Sequence, residues 1–156
     1  MNLIGFFICL NITDSLVRSK IKIIEMYDLI IIGGGPIGLA CGLEAQKVGL
    51  NYAVLEKGCL VNSIYNYPAN MSFFSTSERL ELDDIPFVSN SAKPTRSEAL
   101  EYYRRVAFHR KLNVKLFEEV ETIHKKSNDF YEIITKKMPT TPKALSSLRV
   151  FMIFRI

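Results

Sequence analysis

The sequence predicts an α/β fold in which a parallel sheet with crossover helices is followed by a β-hairpin. Three observations carry this. A short, mostly apolar run at residues 27–32 (YDLIII) leads directly into a G-x-G-x-x-G turn, then a helix-length stretch and a second apolar run. A capped amphipathic segment follows near residue 95, with another apolar run after it. Two β-rich segments then flank a Ser-Asn-Asp turn. Strand, glycine turn, helix and strand in this order make the βαβ unit of a Rossmann-like domain.

Residues 27–32 read as a strand buried on both faces. Gly33 lets the chain turn out of that strand, Gly35 lets a pyrophosphate approach the backbone, and Gly38 lets the helix lie close to the sheet. Gly42 is a second small residue on the same helix. The helix is expected over residues 36–48, closed by Gly49, with its free N–H groups facing phosphate. The next strand, residues 51–56, ends in Glu56, about 20 residues beyond the glycines. A carboxylate there accepts hydrogen bonds from ribose hydroxyls and repels a 2′-phosphate, which points to FAD or NAD over NADP.

Asn, Ser and Pro make residues 61–68 a loop. For residues 72–77 (SFFSTS) two readings stand: Phe73 and Phe74 border the ligand crevice, or they plug the core under a long loop. Asp83 and Asp84 are neighbours, which point apart and share no helix face, so a solvated turn is expected rather than an acid–base pair. The second helix is expected over residues 95–112. Thr95 and Glu98 have capping-box spacing, and Ala99, Leu100, Tyr103, Val106 and Ala107 supply its apolar stripe. Arg104, Arg105, Arg110 and Lys111 decorate the opposite face and the C-terminal end. His109 reads as a surface residue. Residues 113–123 read as a strand and its exit and residues 130–135 as another strand, with the turn at 127–129. His124 is given no chemistry.

The 156 residues suffice for one domain with a real core. The net charge of +4 hints at a nucleic-acid partner, but its distribution excludes one. Residues 136–156 carry five basic and no acidic residues, whereas residues 26–135 carry 12 basic against 14 acidic. Cys9, Cys41 and Cys59 form no C-x-x-C pair and no metal-ligand spacing with His109 or His124. Such a sparse, odd set fits a reducing cytoplasm. The apolar run at residues 3–10 is far shorter than the roughly 20 residues that span a bilayer. No membrane partner is expected.

The chain resembles the thioredoxin-reductase-like flavoproteins, and within them the YpdA-type bacillithiol-disulfide reductases. The resemblance runs from Met26 to about Lys137 and rests on MYDLIIIGGGPIGLA, LEKGCLVNSIYNYP, FFSTSERLE, IPFVS, KPTRSEALEYYRRV and FEEV. It implies an N-terminal FAD-binding domain, interrupted in the full-length family by an NADPH-binding domain. It also implies transfer of hydride equivalents through the flavin to a disulfide, and leaves a homo-oligomer open. Carried over by position, Gly33, Gly34, Gly35, Pro36, Ile37 and Gly38 would hold the FAD pyrophosphate. Glu56 would hold the adenosine ribose, with Lys57 next to it. Asn66 matches a flavin-side asparagine, and Val120 the residue whose backbone meets the adenine. Ile37 stands where the YpdA-type family has its cysteine, so no catalytic residue is named. Cys41 is expected to be packed and inert, and Cys59 to lie on a loop nearer the cofactor.

Residues 1–25 are expected to be a non-native extension ahead of a natural start at Met26, and residues 138–156 a frameshifted tail. Reading the last base of each tail codon with the first two of the next permits A-Y-H-T-K-S-V-I-V-A-T-G-F-Y-D-I-P, which contains the A-T-G strand of the family. On this reading the tail forms no element, and the sheet is left with uncovered strand edges and a marginal, aggregation-prone chain. Otherwise residues 148–156 form a basic amphipathic tail suited to a membrane surface or a partner. The leading functional expectation is the FAD-binding part of an NAD(P)H-dependent disulfide reductase, inactive alone. A non-catalytic dinucleotide-binding module, or the first domain of another flavoenzyme such as a monooxygenase, are the alternatives.

Overall fold

A computed structural model describes residues 24–126, 130–137 and 149–155. The expected turn at 127–129, Cys9 and the apolar run at 3–10 lie outside the described residues. The elements are β1 (Ile24–Tyr27), β2 (Leu29–Ile32), α1 (Pro36–Lys47), β3 (Tyr52–Glu56) and the one-turn α2 (Asn62–Tyr65). A 3₁₀ turn (Ser77–Leu80) precedes α3 (Arg96–His109). Then come β4 (Val114–Leu116), β5 (Glu118–Lys125), β6 (Phe130–Lys137) and β7 (Arg149–Arg155). Among the described residues no helix is long and apolar enough to cross a membrane.

Strands β2, β3 and β4 form a parallel sheet in the order β2-β3-β4, with α1 crossing from β2 to β3. The second sheet runs β1-β7-β6-β5, with β1 parallel to β7 and the other pairs antiparallel. The fold is therefore the α/β arrangement expected: a parallel sheet with a crossover helix, plus the β5–β6 hairpin. The predicted first strand is longer and divided. The chain changes sheets at Asp28, whose Oδ2 accepts from the Asn51 N–H at 2.9 Å. Glu25 takes part as well: its carboxylate accepts from Lys115 Nζ and the Tyr27 hydroxyl, and Lys115 beside it holds its pKa below the usual carboxylate value.

The tail differs from expectation. Residues 149–155 form a strand inserted between β1 and β6, so the second sheet is continuous where an uncovered edge was expected. The β-branched and aromatic run RVFMIFR has the strand propensity for this.

Strand β3 explains the layering. All five of its residues are buried. Ala53 and Leu55 face Ile30 and Ile133, with Val120 packed beside them. Tyr52 and Val54 face the other way, against Ala45 of α1. The parallel sheet thus lies between the hairpin and the helices. A third cluster joins Leu39 and Leu43 of α1 to Val61, Ile64, Phe87 and the α3 residues Ala99, Tyr102, Tyr103 and Val106.

Helix α3 begins as predicted. Thr95 Oγ1 accepts from the Glu98 N–H, and the Glu98 carboxylate accepts from the Thr95 N–H at 2.7 Å, a complete capping box. A Thr cap of this kind is worth about 1 kcal/mol. Tyr102 joins the predicted stripe and stacks on Phe87, with ring centroids 4.3 Å apart. Its hydroxyl accepts from the Leu82 N–H at 2.7 Å and donates to the Ile85 carbonyl at 2.8 Å. The Tyr103 hydroxyl donates to the Leu80 carbonyl, and burial pushes its pKa up to about 12. The long segment before α3 is anchored through these two phenols. Phe73 packs against the same core, and Phe74 is exposed.

Three local expectations change. Residues 62–65 form a helical turn instead of open loop. Residues 113–123 are not one strand, because Phe117 (φ 57°) breaks the run and passes the chain from the parallel sheet to the hairpin. Asp83 is not solvated: its carboxylate meets Lys47 Nζ at 2.7 Å and Arg110 Nη2 at 2.6 Å, tying α1 to the end of α3. The Lys47 hydrogen bond holds the Asp83 pKa below its ordinary 3.8. The stabilisation from this bridge is complete above the unfolded value and is lost as pH falls through the lower folded one. Thermal melts taken from about pH 5 to about pH 2 should show an acid loss that is smaller in Asp83→Asn.

Candidate dinucleotide-binding site

The site forms where β2 and β3 end. Gly33 leaves β2 at φ 106°, a conformation that disfavours any side chain, and its N–H donates to the Leu55 carbonyl at 2.7 Å. Gly35 caps α1 with no side-chain hydrogen bond, Pro36 opens the helix, and the first turn holds no acidic residue. Its leading N–H groups have no partner within the helix, and the dipole favours an anion there. A Cβ on Gly35 would meet only Ser63 Oγ, at 3.8 Å, so the space above it is open.

Gly38 has a different reason to be glycine. A Cβ there would sit 1.9 Å from the Gly33 carbonyl oxygen. The tightest approach is of the helix to the turn itself, with Ile31 of β2 at 3.6 Å. The closer contact with the sheet is at Gly42, whose Cβ would meet Val54 at 3.2 Å and Tyr52 at 3.3 Å. Gly34 is constrained from the other side, since a Cβ would sit 2.9 Å from Glu56 Cβ.

Glu56 is 8% exposed at the end of β3. Its Oε2 accepts from the Gly34 N–H at 2.7 Å and its Oε1 from the Gly58 N–H at 2.9 Å. The carboxylate therefore joins the glycine turn to the loop after β3, and each oxygen retains a lone pair for a further donor.

A cleft of about 320 Å³ opens here, lined by Ile32, Gly33, Leu55, Glu56, Lys57, Glu118, Glu119 and Val120. Four predicted residues, Gly33, Glu56, Lys57 and Val120, thus share one cavity. Gly34, Gly35, Pro36 and Gly38 form its glycine turn and helix start, and Ile37 stands 77% exposed in the first turn of α1. Asn66 is not among the lining residues. It caps the exposed end of α2, where its Nδ2 donates to the Asn62 carbonyl at 2.8 Å.

Sequence reasoning missed Glu118, Glu119 and Gly58. Glu118 and Val120 are two apart on one strand and share its inner face; that alternation was the available signal. A Cβ on Gly58 would meet Asn62 at 2.6 Å. The cysteines are also placed differently. Cys41 is exposed rather than packed, because it sits on the side of α1 away from the sheet. Cys59 is half-buried, with Sγ 3.4 Å from Asn62 Oδ1. It lines a separate cavity of about 790 Å³ with Tyr65, Leu100, Arg104 and Phe117. That cavity is larger but shares no lining residue with the cleft and has no glycine turn at its mouth. The chemistry favours the smaller one. Among the described residues no cluster of His, Cys, Asp and Glu has metal-site geometry.

Residues 30–145 match the pyridine nucleotide-disulphide oxidoreductase family. The chain belongs to that family. Bacilliredoxin reductase Bdr of Bacillus subtilis (strain 168) is 46% identical over 114 residues, covering 72% of this chain and 35% of the relative. The solved bacillithiol disulfide reductase Bdr (YpdA) of Bacillus cereus is 41% identical with a TM-score of 0.76, covering 83% of this chain and 38% of the other. The resemblance drawn from the motifs is thereby confirmed. A flavin-containing monooxygenase from Stenotrophomonas maltophilia superposes with a TM-score of 0.69 at 18% identity, over 82% of this chain and 36% of its own. At that identity it shares the fold alone. The chain spans a little over a third of the length of these relatives.

Proposed function

We propose that this chain is the FAD-binding portion of an NAD(P)H-dependent flavoprotein that reduces a disulfide of a low-molecular-weight thiol. The observation that carries the reading is the Glu56 carboxylate, held by the Gly34 and Gly58 N–H groups at the mouth of a cleft beside an uncapped helix. In this reading residues 33–38 hold the pyrophosphate, Glu56 and Lys57 the adenosine ribose, and the Val120 backbone the adenine. Asn66 lies towards the flavin ring. The bound flavin would supply the hydride acceptor and the electrons for disulfide reduction. The protein's part is to bind, orient and exclude a 2′-phosphate. No residue is assigned a catalytic role: Ile37 offers no thiol, and Cys59 lines another cavity.

The 156 residues contain one G-x-G-x-x-G. Purified protein should therefore turn yellow with FAD and bind it saturably, yet show no bleaching when NADPH is added. Absence of saturable FAD binding overturns the cofactor assignment. Rapid bleaching by NADPH overturns the division of labour.

A further inference from the structure

We propose that Glu118 reads the adenine, its free carboxylate oxygen accepting a hydrogen bond from the exocyclic amine and so selecting adenine over a 6-oxopurine. The inference rests on the adenine-dinucleotide reading above and names a residue that the motifs did not. Glu118 opens β5, is 4% exposed and lines the cleft. Its Oε1 accepts from the Thr135 hydroxyl at 2.8 Å. Among the described residues, no cation pairs with Glu118 and no donor reaches Oε2. Glu118 lines the open cleft with that oxygen able to accept, and a ligand N–H entering the cleft can supply the donor.

The place of Glu118 decides which donor. Glu56, at the end of β3, already presents two anchored oxygens where a ribose would lie. Glu118 lines the same cleft on the strand face it shares with Val120, the residue proposed to meet the adenine. Adenine carries a donor amine at its 6-position. Hypoxanthine carries a carbonyl there, whose lone pairs would oppose the carboxylate and leave it unpaired. Sites built to receive a donor reject analogues that lack it, because the buried partner is stranded.

The test is calorimetric titration of the purified chain with ADP and with inosine 5′-diphosphate, for wild type and Glu118→Gln. Wild type should prefer ADP by about 30-fold, as for a hydrogen bond to a charged group. In Glu118→Gln the amide can turn its NH₂ towards a 6-carbonyl, and the preference should fall to within about threefold or invert. Far-UV circular dichroism checks that the variant is folded. Equal binding of the two nucleotides by wild type overturns the proposal without need of a variant. So does an unchanged preference in folded Glu118→Gln, which would assign the discrimination to the Val120 backbone. Failure of wild type to bind either nucleotide, or FAD, overturns the parent reading instead.

Discussion

Gly38→Ala should abolish FAD binding and lower stability together. The added methyl would lie 1.9 Å from the Gly33 carbonyl oxygen, a backbone atom that cannot rotate aside. Relief requires α1 to back away from the turn. It cannot do so freely, because Leu39 and Leu43 are buried in the helical cluster and Gly42 already lies against Val54 and Tyr52. Overpacking of this kind costs about 3 kcal/mol, which is a fall of roughly 6–12 °C in Tm for a domain of this size. Gly35→Ala is the informative contrast. Its methyl meets only Ser63 Oγ at 3.8 Å, so stability should change by about 1 kcal/mol or less. Yet the methyl stands where the proposed pyrophosphate would approach, and FAD affinity should still fall by at least about tenfold. Thermal melts and FAD titrations on the two variants separate the roles. Equal melting temperatures would show that the helix–turn contact is not the constraint argued above.

The second large effect is expected from Glu56→Ala. The substitution removes the side chain that joins Gly34 to Gly58 and leaves both N–H groups without this acceptor. Each stranded donor costs about 1–3 kcal/mol, so destabilisation of about 3 kcal/mol is expected, with loss of FAD affinity of at least about 100-fold. Glu56→Gln keeps the shape but turns an NH₂ towards one of the two donors. It should fall between wild type and Glu56→Ala in both measurements. A Glu56→Ala variant with unaltered Tm would mean that the carboxylate is not the clasp between the turn and the loop.

Much of this was legible in the sequence, for physical reasons that also mark where legibility ended. Helices α1 and α3 announce themselves through Gly-Pro and Thr-x-x-Glu starts, and both begin where expected. The strand before the glycine turn and the strand ending in Glu56 are short apolar runs of the kind a covered parallel sheet requires. What escaped depends on partners remote in the chain. Nothing next to Asp83 reveals that Lys47 and Arg110 will meet it. The left-handed Phe117 splits one apparent strand into two, and no residue preference signals that at phenylalanine. The one-turn α2 is too short to show a helical period. Strand β7 needed the β1 and β6 edges on either side of it, which a reading of the tail by itself does not supply. In the site, the glycine fingerprint and Glu56 were visible as a spaced motif. Glu118 was marked only by its alternation with Val120, and its place in the cleft comes from the hairpin folding back over β2 and β3.

In the proposed complex an adenine nucleotide lies between Glu56 and Val120, over the glycine turn. Amide chemical-shift mapping of the labelled chain with ADP tests it most directly. The largest shifts are expected at Gly33, Gly34, Gly35, Gly38, Glu56, Lys57 and Val120, with Asp83 and the middle of α3 unmoved. Shifts centred instead on Cys59, Tyr65, Leu100 and Arg104, around the larger cavity, would contradict it.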